Sequence, residues 1–497
     1  MQGEYEADHG AWHIRVWWGD AGQIADGRVE DKTGAVTEAW TGPQVAWKMA
    51  RGGTGAFGGR EINKPLVWIG FCLAFLVGLA DLRRPLSLRN LDLLALLSFS
   101  ISLRYFNEGD IFTSVPLAYP PLLYVIARMA WIGGTARVKP SRPVWPVWVL
   151  VAGAVFLAGF RIGLNVETSN VIDVGYAGVI GANRIVEGES PYGHFPVQDD
   201  LKPCGPADAE GEIRERIQTN GRCEASNDRG DTYGPVSYLS YVPGYALFGW
   251  TGKWDKLPAA HFTSLAFDVL CMLGLALVGW RYGGQRLAAT LPFAWAAYPF
   301  TQYTSMSNTN DAILPAFLVF GFFFAAQPAL RGGFLALAAW TKFAALTTVP
   351  LWATYPEWRT RTVLRFLLGL VVATALAFSV FLLEPNVLDA ARTFWDRTLG
   401  WQLGRQSPFS IWDWGQYHAR GIPDLHWPHR VVQALVVAGA IVAAFLPRRK
   451  SPLQLAALTA ALVAAFQLVL THWFYLYIPW FFPFVAFALF ARDRSEA

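Results

Sequence analysis

Charge is scarce in this sequence: Asp, Glu, Lys and Arg make up 16% of its 497 residues, against about 25% in an ordinary soluble domain. Cysteine is scarce as well, with four residues and no zinc-type spacing among them. There is no Walker A sequence, no Rossmann glycine fingerprint at a strand–helix junction and no HExxH pair. Those absences exclude a soluble nucleotide-binding or zinc-hydrolase domain. The first 64 residues lack an apolar secretory core; they are polar and Gly-rich, and read as a disordered tail or a start placed too early.

What is abundant is apolar sequence. Hydrophobic residues make up 53% of the chain, and the mean hydropathy is +0.28. Runs long enough to cross a hydrocarbon core, about 17–25 residues, recur along most of the chain. They include 145–163, 257–280, 364–381, 431–446, 453–471 and 474–490. The expected fold class is therefore an all-α polytopic membrane protein of roughly 11–13 transmembrane helices. Two segments resist simple counting: 234–250, with Pro235, Pro243 and Gly244, reads as a dip, and 332–353 is interrupted at Thr341-Lys342.

Basic residues collect in short connectors: Arg83, Arg84 and Arg89; Arg137, Lys139 and Arg142; Arg359, Arg361 and Arg365; Arg448, Arg449 and Lys450; Arg492 and Arg494. The positive-inside rule makes these ends cytoplasmic. Segments 164–232 and 385–428 then become external loops, and 492–497 a cytoplasmic tail. The divisions read are a polar tail 1–64, additional N-terminal membrane helices over 65–144, and a membrane domain over 145–491. Cys72 and Cys271 sit in apolar runs as core residues. Cys204 and Cys223 fall in the first external loop, where a disulfide and two free thiols are both open readings.

That loop carries the most chemistry. Ser169 or Asn170 reads as an N-cap and Gly188 as a C′ residue, which predicts a helix over 171–187. It is too short and too polar to span, so it is expected to lie along the interface. Asp173 falls in its first turn, where the helix dipole favours the carboxylate, with Tyr176 on the same face. An ionised carboxylate at a water–lipid boundary can take a proton from an attacking hydroxyl. A helix-end stabiliser would look the same. Farther on, Asp268 lies near the middle of an apolar run, which implies a partner or a function. His261 shares its helical face, and a pairing with Lys342 is one reading. Asn310 and Asp311 lie between two spans and read as sugar contacts or as a plain cap. Loop 385–428 is rich in Trp, with Arg397 and Arg405, and suits an acceptor platform or an interfacial anchor equally.

The order Asp173-x-x-Tyr176, Gly188-x-x-Pro191-Tyr192, Tyr233-Gly-Pro235, Thr341-Lys342 before Pro350, and His472-x-x-Tyr475 resembles the glycosyltransferase-C superfamily. Within it, the pattern is most similar to family 87, the polyprenyl-phosphate-mannose mannosyltransferases of actinobacteria. The resemblance spans about residues 145–491; helices 65–144 and the cysteine-bearing insertion 195–231 depart from it. It implies a glycosyltransferase-C-like bundle with interfacial helices in the external loops, at the cell membrane with its active site on the extracytoplasmic face. It further implies transfer of a sugar from a polyprenyl-phosphate donor to a glycolipid or glycan hydroxyl with inversion. By the same resemblance Asp173 is the base, with Glu167 its nearest rival. Tyr176, Arg184, Tyr192, Lys342, His472 and Tyr475 would contact substrate. No metal or other cofactor is expected, since the first loop has no Asp-x-Asp pair; Asp199, Asp200, Asp208 and Glu210 read as solvated surface. The competing expectation is a secondary transporter or lipid-linked-sugar flippase built on Asp268.

Overall fold

A computed structural model describes the chain at all residues except 18–22, 42–44, 46–54, 56, 139–142, 197–200, 205–214, 218–222, 226–229, 255–256, 406 and 492–497. Lys139, Arg142, Asp199, Asp200, Asp208, Glu210, Arg492 and Arg494 therefore lie outside the described residues.

Prolines at first helical positions, where no N–H is needed, start many of the helices. Those that matter here are α1 (Pro65–Leu79), α2 (Leu88–Asn107), α3 (Ile111–Thr135), α4 (Val147–Thr168), α5 (Asp173–Glu187), α6 (Pro258–Ala297), α7 (Pro299–Met306), α8 (Ile313–Phe323), α9 (Pro328–Ala339), α10 (Thr360–Ala377), α11 (His426–Phe445), α12 (Pro452–Leu468) and α13 (Ile478–Phe490). Among the described residues, five helical stretches are long and apolar enough to cross a membrane: α3, α4, α6, α10 with its 3₁₀ extension to Leu383, and α11. Shorter apolar helices fill the space between them. The protein is an all-α polytopic membrane chain in its main body. Segment 234–250 forms two short helices, Pro235–Leu239 and Val242–Phe248, and does not cross. α6 is two antiparallel helices that reverse at Gly284, whose φ of 69° suits glycine.

The basic connectors gather at one end of the bundle. The backbones of Glu357 and Arg449 pair in an isolated antiparallel β-bridge, the Arg89 guanidinium lies over Phe490, and Gln454 Nε2 donates to Gly133 O at 3.0 Å. The segments around Asp173, Lys342 and His472 belong to the opposite end.

Among the first 41 residues, most of the described ones lie in strands. They form an antiparallel meander of β1 (Gln2–Glu6), β2 (Ala11–Trp17), β3 (Gln23–Glu30) and β4 (Val36–Thr41). Trp40 anchors it to the bundle, 5.2 Å from the Phe112 ring and 5.3 Å from Tyr417. The period-two alternation of Trp12, Ile14 and Val16 signals β2; bulk polarity hid it.

Candidate active site

The site is assembled from three breaks in helical structure. The first is the start of α5. Asp173 is its first helical residue, and Oδ1 accepts from Val174 N at 3.0 Å. Neither Ser169 nor Asn170 caps this helix; Ile172 holds the N-cap position with no side-chain bond. The helix does close on Gly188, at φ 86°. It does not lie on the surface, since residues 175–183 are buried. A Cβ on Gly175 would strike the Asn308 carbonyl, and Gly181 abuts the Tyr238 ring. A stripe of glycines thus lets the backbone approach closely and pins Asp173 against the loop before α8.

That loop is the second break. Asn308, at φ 51°, donates through Nδ2 to Ser169 Oγ at 2.8 Å and accepts from Asn165 at 2.9 Å. Thr309 caps the 3₁₀ turn Asn310–Ala312. Asp311 is fully buried, with Oδ2 accepting from Thr309 Oγ1 at 2.7 Å and Oδ1 from Trp480 Nε1 at 3.0 Å.

The third is the interruption after α9. Lys342 has extended backbone (φ −142°, ψ 130°) between α9 and the 3₁₀ helix Phe343–Thr348. Its Nζ reaches Asp311 Oδ1 at 2.9 Å. The rings of Tyr233, Tyr477 and Trp480 surround the ammonium at 4.8, 5.3 and 5.4 Å. An ion pair this deep must offset a large desolvation cost; cation–π contacts, about 0.5–2 kcal/mol each, help. The charges of Asp173, Asp311 and Arg405 all act on Lys342 and on Tyr233. Asp173, Tyr233, Arg405 and Tyr477 are half-buried, above the deeper Lys342 and Asp311.

Arg405 is held in turn. Its Nη2 lies 2.8 Å from His472 Nε2, and His472 Nδ1 lies 2.8 Å from Ser407 Oγ. A guanidinium only donates, so Nε2 accepts and the neutral imidazole carries its proton on Nδ1, toward Ser407. The Arg405 guanidinium also stacks over Trp401 at 4.6 Å.

Other expected site residues are placed elsewhere. Tyr176 is buried and stacks on Trp254 at 4.7 Å. Tyr192 is buried and donates to Tyr233 O at 2.9 Å, so it supports Tyr233 from behind. Arg184 bonds His194 O and pairs with Glu187 and Glu189. Tyr475 is buried and hydrogen-bonded to Ser102 at 2.6 Å; the site takes Tyr477 instead, because residues 475–477 form a 3₁₀ turn. Glu167 is exposed on the last turn of α4. Asn310 donates to Ser237 Oγ at 2.7 Å. Asp268 pairs with Arg161, which donates through Nε at 3.0 Å and through Nη2, while Trp295 Nε1 adds a bond at 2.8 Å. Lys342 is not its partner, and His261 bonds Asn165 at 2.9 Å. Tyr233 was legible only as part of a motif, and Arg405 only as one residue of an aromatic loop. Nothing in the local sequence marked Trp480.

Two clasps join the loops that frame the site. Asp231 Oδ2 accepts from Gly193 N at 2.7 Å and from Arg397 Nε at 2.8 Å. Burial nevertheless pushes the Asp231 carboxyl above the usual range. Glu384 Oε1 accepts from Ser190 N at 3.1 Å and meets His194 Nε2 at 2.9 Å. Cys204 is disulfide-bonded, Cys72 and Cys271 are free thiols, and the side chain of Cys223 lies outside the described residues.

No family model matches the sequence, and no curated protein matches it. Among solved structures, the chain is similar to ArnT from Cupriavidus metallidurans bound to undecaprenyl phosphate, at 17% identity and a TM-score of 0.41. The match covers 69% of this chain and 59% of that one, so it spans about three fifths of its neighbour's length.

Proposed function

We propose that this chain is a membrane glycosyltransferase of the glycosyltransferase-C type. It moves a sugar, mannose by the resemblance to family 87, from a polyprenyl phosphate to a hydroxyl of a glycolipid or glycan. The observation that carries the reading is Lys342, paired with Asp311 and ringed by Tyr233, Tyr477 and Trp480, with Asp173 and Arg405 near enough to act electrostatically on both Lys342 and Tyr233. Acid–base and phosphate-stabilising groups meet there, although they come from segments far apart in sequence.

The acceptor oxygen attacks the anomeric carbon while its proton passes to the Asp173 carboxylate. The bond between that carbon and the phosphate oxygen breaks, and its electron pair leaves with the polyprenyl phosphate. Attack opposite the leaving group inverts the anomeric centre. Lys342 and Arg405 are aimed at the charge that grows on the phosphate. Asp311 holds Lys342 in place, and His472 holds Arg405. Beside the Tyr233–Pro235 segment, an apolar cavity of about 450 Å³ lies among Val236, Leu239, Phe262, Phe267, Phe317 and Leu376. It suits part of a prenyl tail.

The site belongs to the extracytoplasmic face. The end of the bundle that collects Arg83, Arg137, Arg359 and Arg449 is the opposite one, and a disulfide at Cys204 suits an oxidising compartment. Pairing of Cys204 with Cys223 would close the insertion in the first loop. The transporter reading loses support because Asp268 is fully engaged by Arg161 and Trp295.

The test is transfer of label from radiolabelled polyprenyl-phosphate-mannose by the purified protein in proteoliposomes, wild type beside Asp173→Asn. Transfer by wild type, lost in a folded Asp173→Asn protein, supports the reaction and its base. Movement of uncleaved donor across the bilayer would replace this reading with a flippase.

A further inference from the structure

The N-terminal sheet is amphipathic in an inverted sense. Its charged face points toward the bundle and its apolar face points away. On the inner face His13 meets Asp26 at 2.8 Å, and Arg28 bridges Glu6 and Glu38, each at 2.8 Å. His13, Asp26 and Glu38 are buried, as is Trp40, which docks on Phe112 and Tyr417. Strand alternation puts the intervening residues on the other face. The register aligns Tyr5 with Trp12, Trp12 with Val29, Ile14 with Gly3 and Gly27, and Gly27 with Ala39. Tyr5 and Trp12 are 47% and 43% exposed. No described residue covers them. A soluble meander normally buries such a face, so its outward display marks a binding surface.

Three features define what fits. The Tyr5 and Trp12 rings lie 5.3 Å apart at 57°, forming an open angle with the indole held by a 2.7 Å bond from Nε1 to Asp31 Oδ1. Beside them Gly3, Gly27 and Ala39 keep the surface shallow. Residues 2–41 also carry eight carboxylates against three Arg or Lys side chains. That balance disfavours anionic lipid head groups, which need a basic face, and a second copy of the same acidic sheet. A neutral ligand with C–H faces and hydroxyl edges meets all three conditions. Sugar rings lay their C–H faces on the negative π-face of aromatics, and rim carboxylates accept their hydroxyls.

We propose that this outward face binds the saccharide chain of the acceptor, holding the glycan while its end reaches the site. The proposal rests on the transferase reading, because it places the sheet on the same side as the external loops. Trp40 supplies the continuity: it packs on Tyr417, in the loop that also carries Arg405.

The test uses the full-length protein in nanodiscs and four probes: linear hexasaccharides of mannose, glucose, galactose and arabinose. Saturation-transfer NMR is expected to show saturable binding of at least one probe. Tyr5→Ala and Trp12→Ala are each expected to weaken it about tenfold, roughly the loss of one stacked ring, while Trp12→Phe restores most of it. If no hexasaccharide binds, or if Trp12→Ala leaves binding unchanged, the proposal is wrong. It is equally wrong if Trp12→Ala instead abolishes a dimer seen by mass photometry or capture of added phosphatidylcholine vesicles. A Thr33→Cys variant should react with a membrane-impermeant maleimide in intact cells; reaction only after lysis would also overturn it. Binding is measured without turnover, so the two readings fail separately. Glycan binding without donor cleavage removes the reaction alone, and donor cleavage without glycan binding removes the surface alone.

Discussion

Lys342 Nζ and Trp480 Nε1 both hydrogen-bond the same oxygen of Asp311, at 2.9 and 3.0 Å. One buried carboxylate therefore ties the break after α9 to the start of α13. If this pair positions the ammonium, removing either partner strands a buried charge. Lys342→Met and Asp311→Asn should each destabilise the protein by about 3–5 kcal/mol. The double variant should be closer to wild type than their sum. Thermal unfolding in detergent measures this cycle, and simple additivity would rule the coupling out.

Asp173 Oδ1 accepts from Val174 N at 3.0 Å, a bond that the amide oxygen of an isosteric asparagine retains. Asp173→Asn should therefore leave melting nearly unchanged while lowering kcat about 10²–10⁴-fold, the usual contribution of a general base. A variant with wild-type turnover would move the base elsewhere, Glu167 being the first place to look.

Arg405 and His472 divide by role. Arg405→Ala should lower kcat about 10²–10³-fold, as loss of a charge-stabilising donor does. His472→Ala leaves the guanidinium in place but less restrained. Its loss should be smaller and appear in both kcat and KM. Equal losses in the two variants would mean that His472 itself touches the donor.

The approach of α5 to the Asn308 loop depends on hydrogen in place of a side chain. Gly175→Ala should cost about 1–3 kcal/mol through overpacking. Gly159→Ala, where a Cβ meets nothing within 4 Å, is the control. Melting temperatures that do not separate the two would show that the loop yields freely.

The pH response of the loop clasp follows from Asp231. Burial raises its carboxyl above the usual range despite Arg397. At low pH both folded and unfolded chains hold the proton; between the ordinary value and the raised one only the folded chain does. Stability should therefore fall as pH climbs through that window. Asp231→Asn should flatten the slope, and Arg397→Met should widen the window by raising the carboxyl further. Melting curves between about pH 3.5 and 6.5 read this out.

Local chemistry made part of the site readable in one dimension. The helix stop at Gly188, the interruption at Thr341-Lys342 and the failure of 234–250 to cross all follow from residues within a few positions. Tyr475 shows the limit. In a regular helix it and His472 share a face, but an extended residue at Phe474 followed by a 3₁₀ turn brings Tyr477 to Lys342 and sends Tyr475 to Ser102. A shift of two residues in a short irregular segment is invisible to periodicity.

Hydropathy by itself determined that this chain is polytopic, because every apolar run must leave water whatever its neighbours are. Which charges pair within the bundle was decided only by tertiary structure. Arg161 and Asp268 are separated by more than a hundred residues, and Lys342 and Asp311 by about thirty; each pair exists because two helix ends or faces were packed together. A buried charge announces through its desolvation cost that it needs a partner, but that cost is the same for every partner. Packing alone chooses among them.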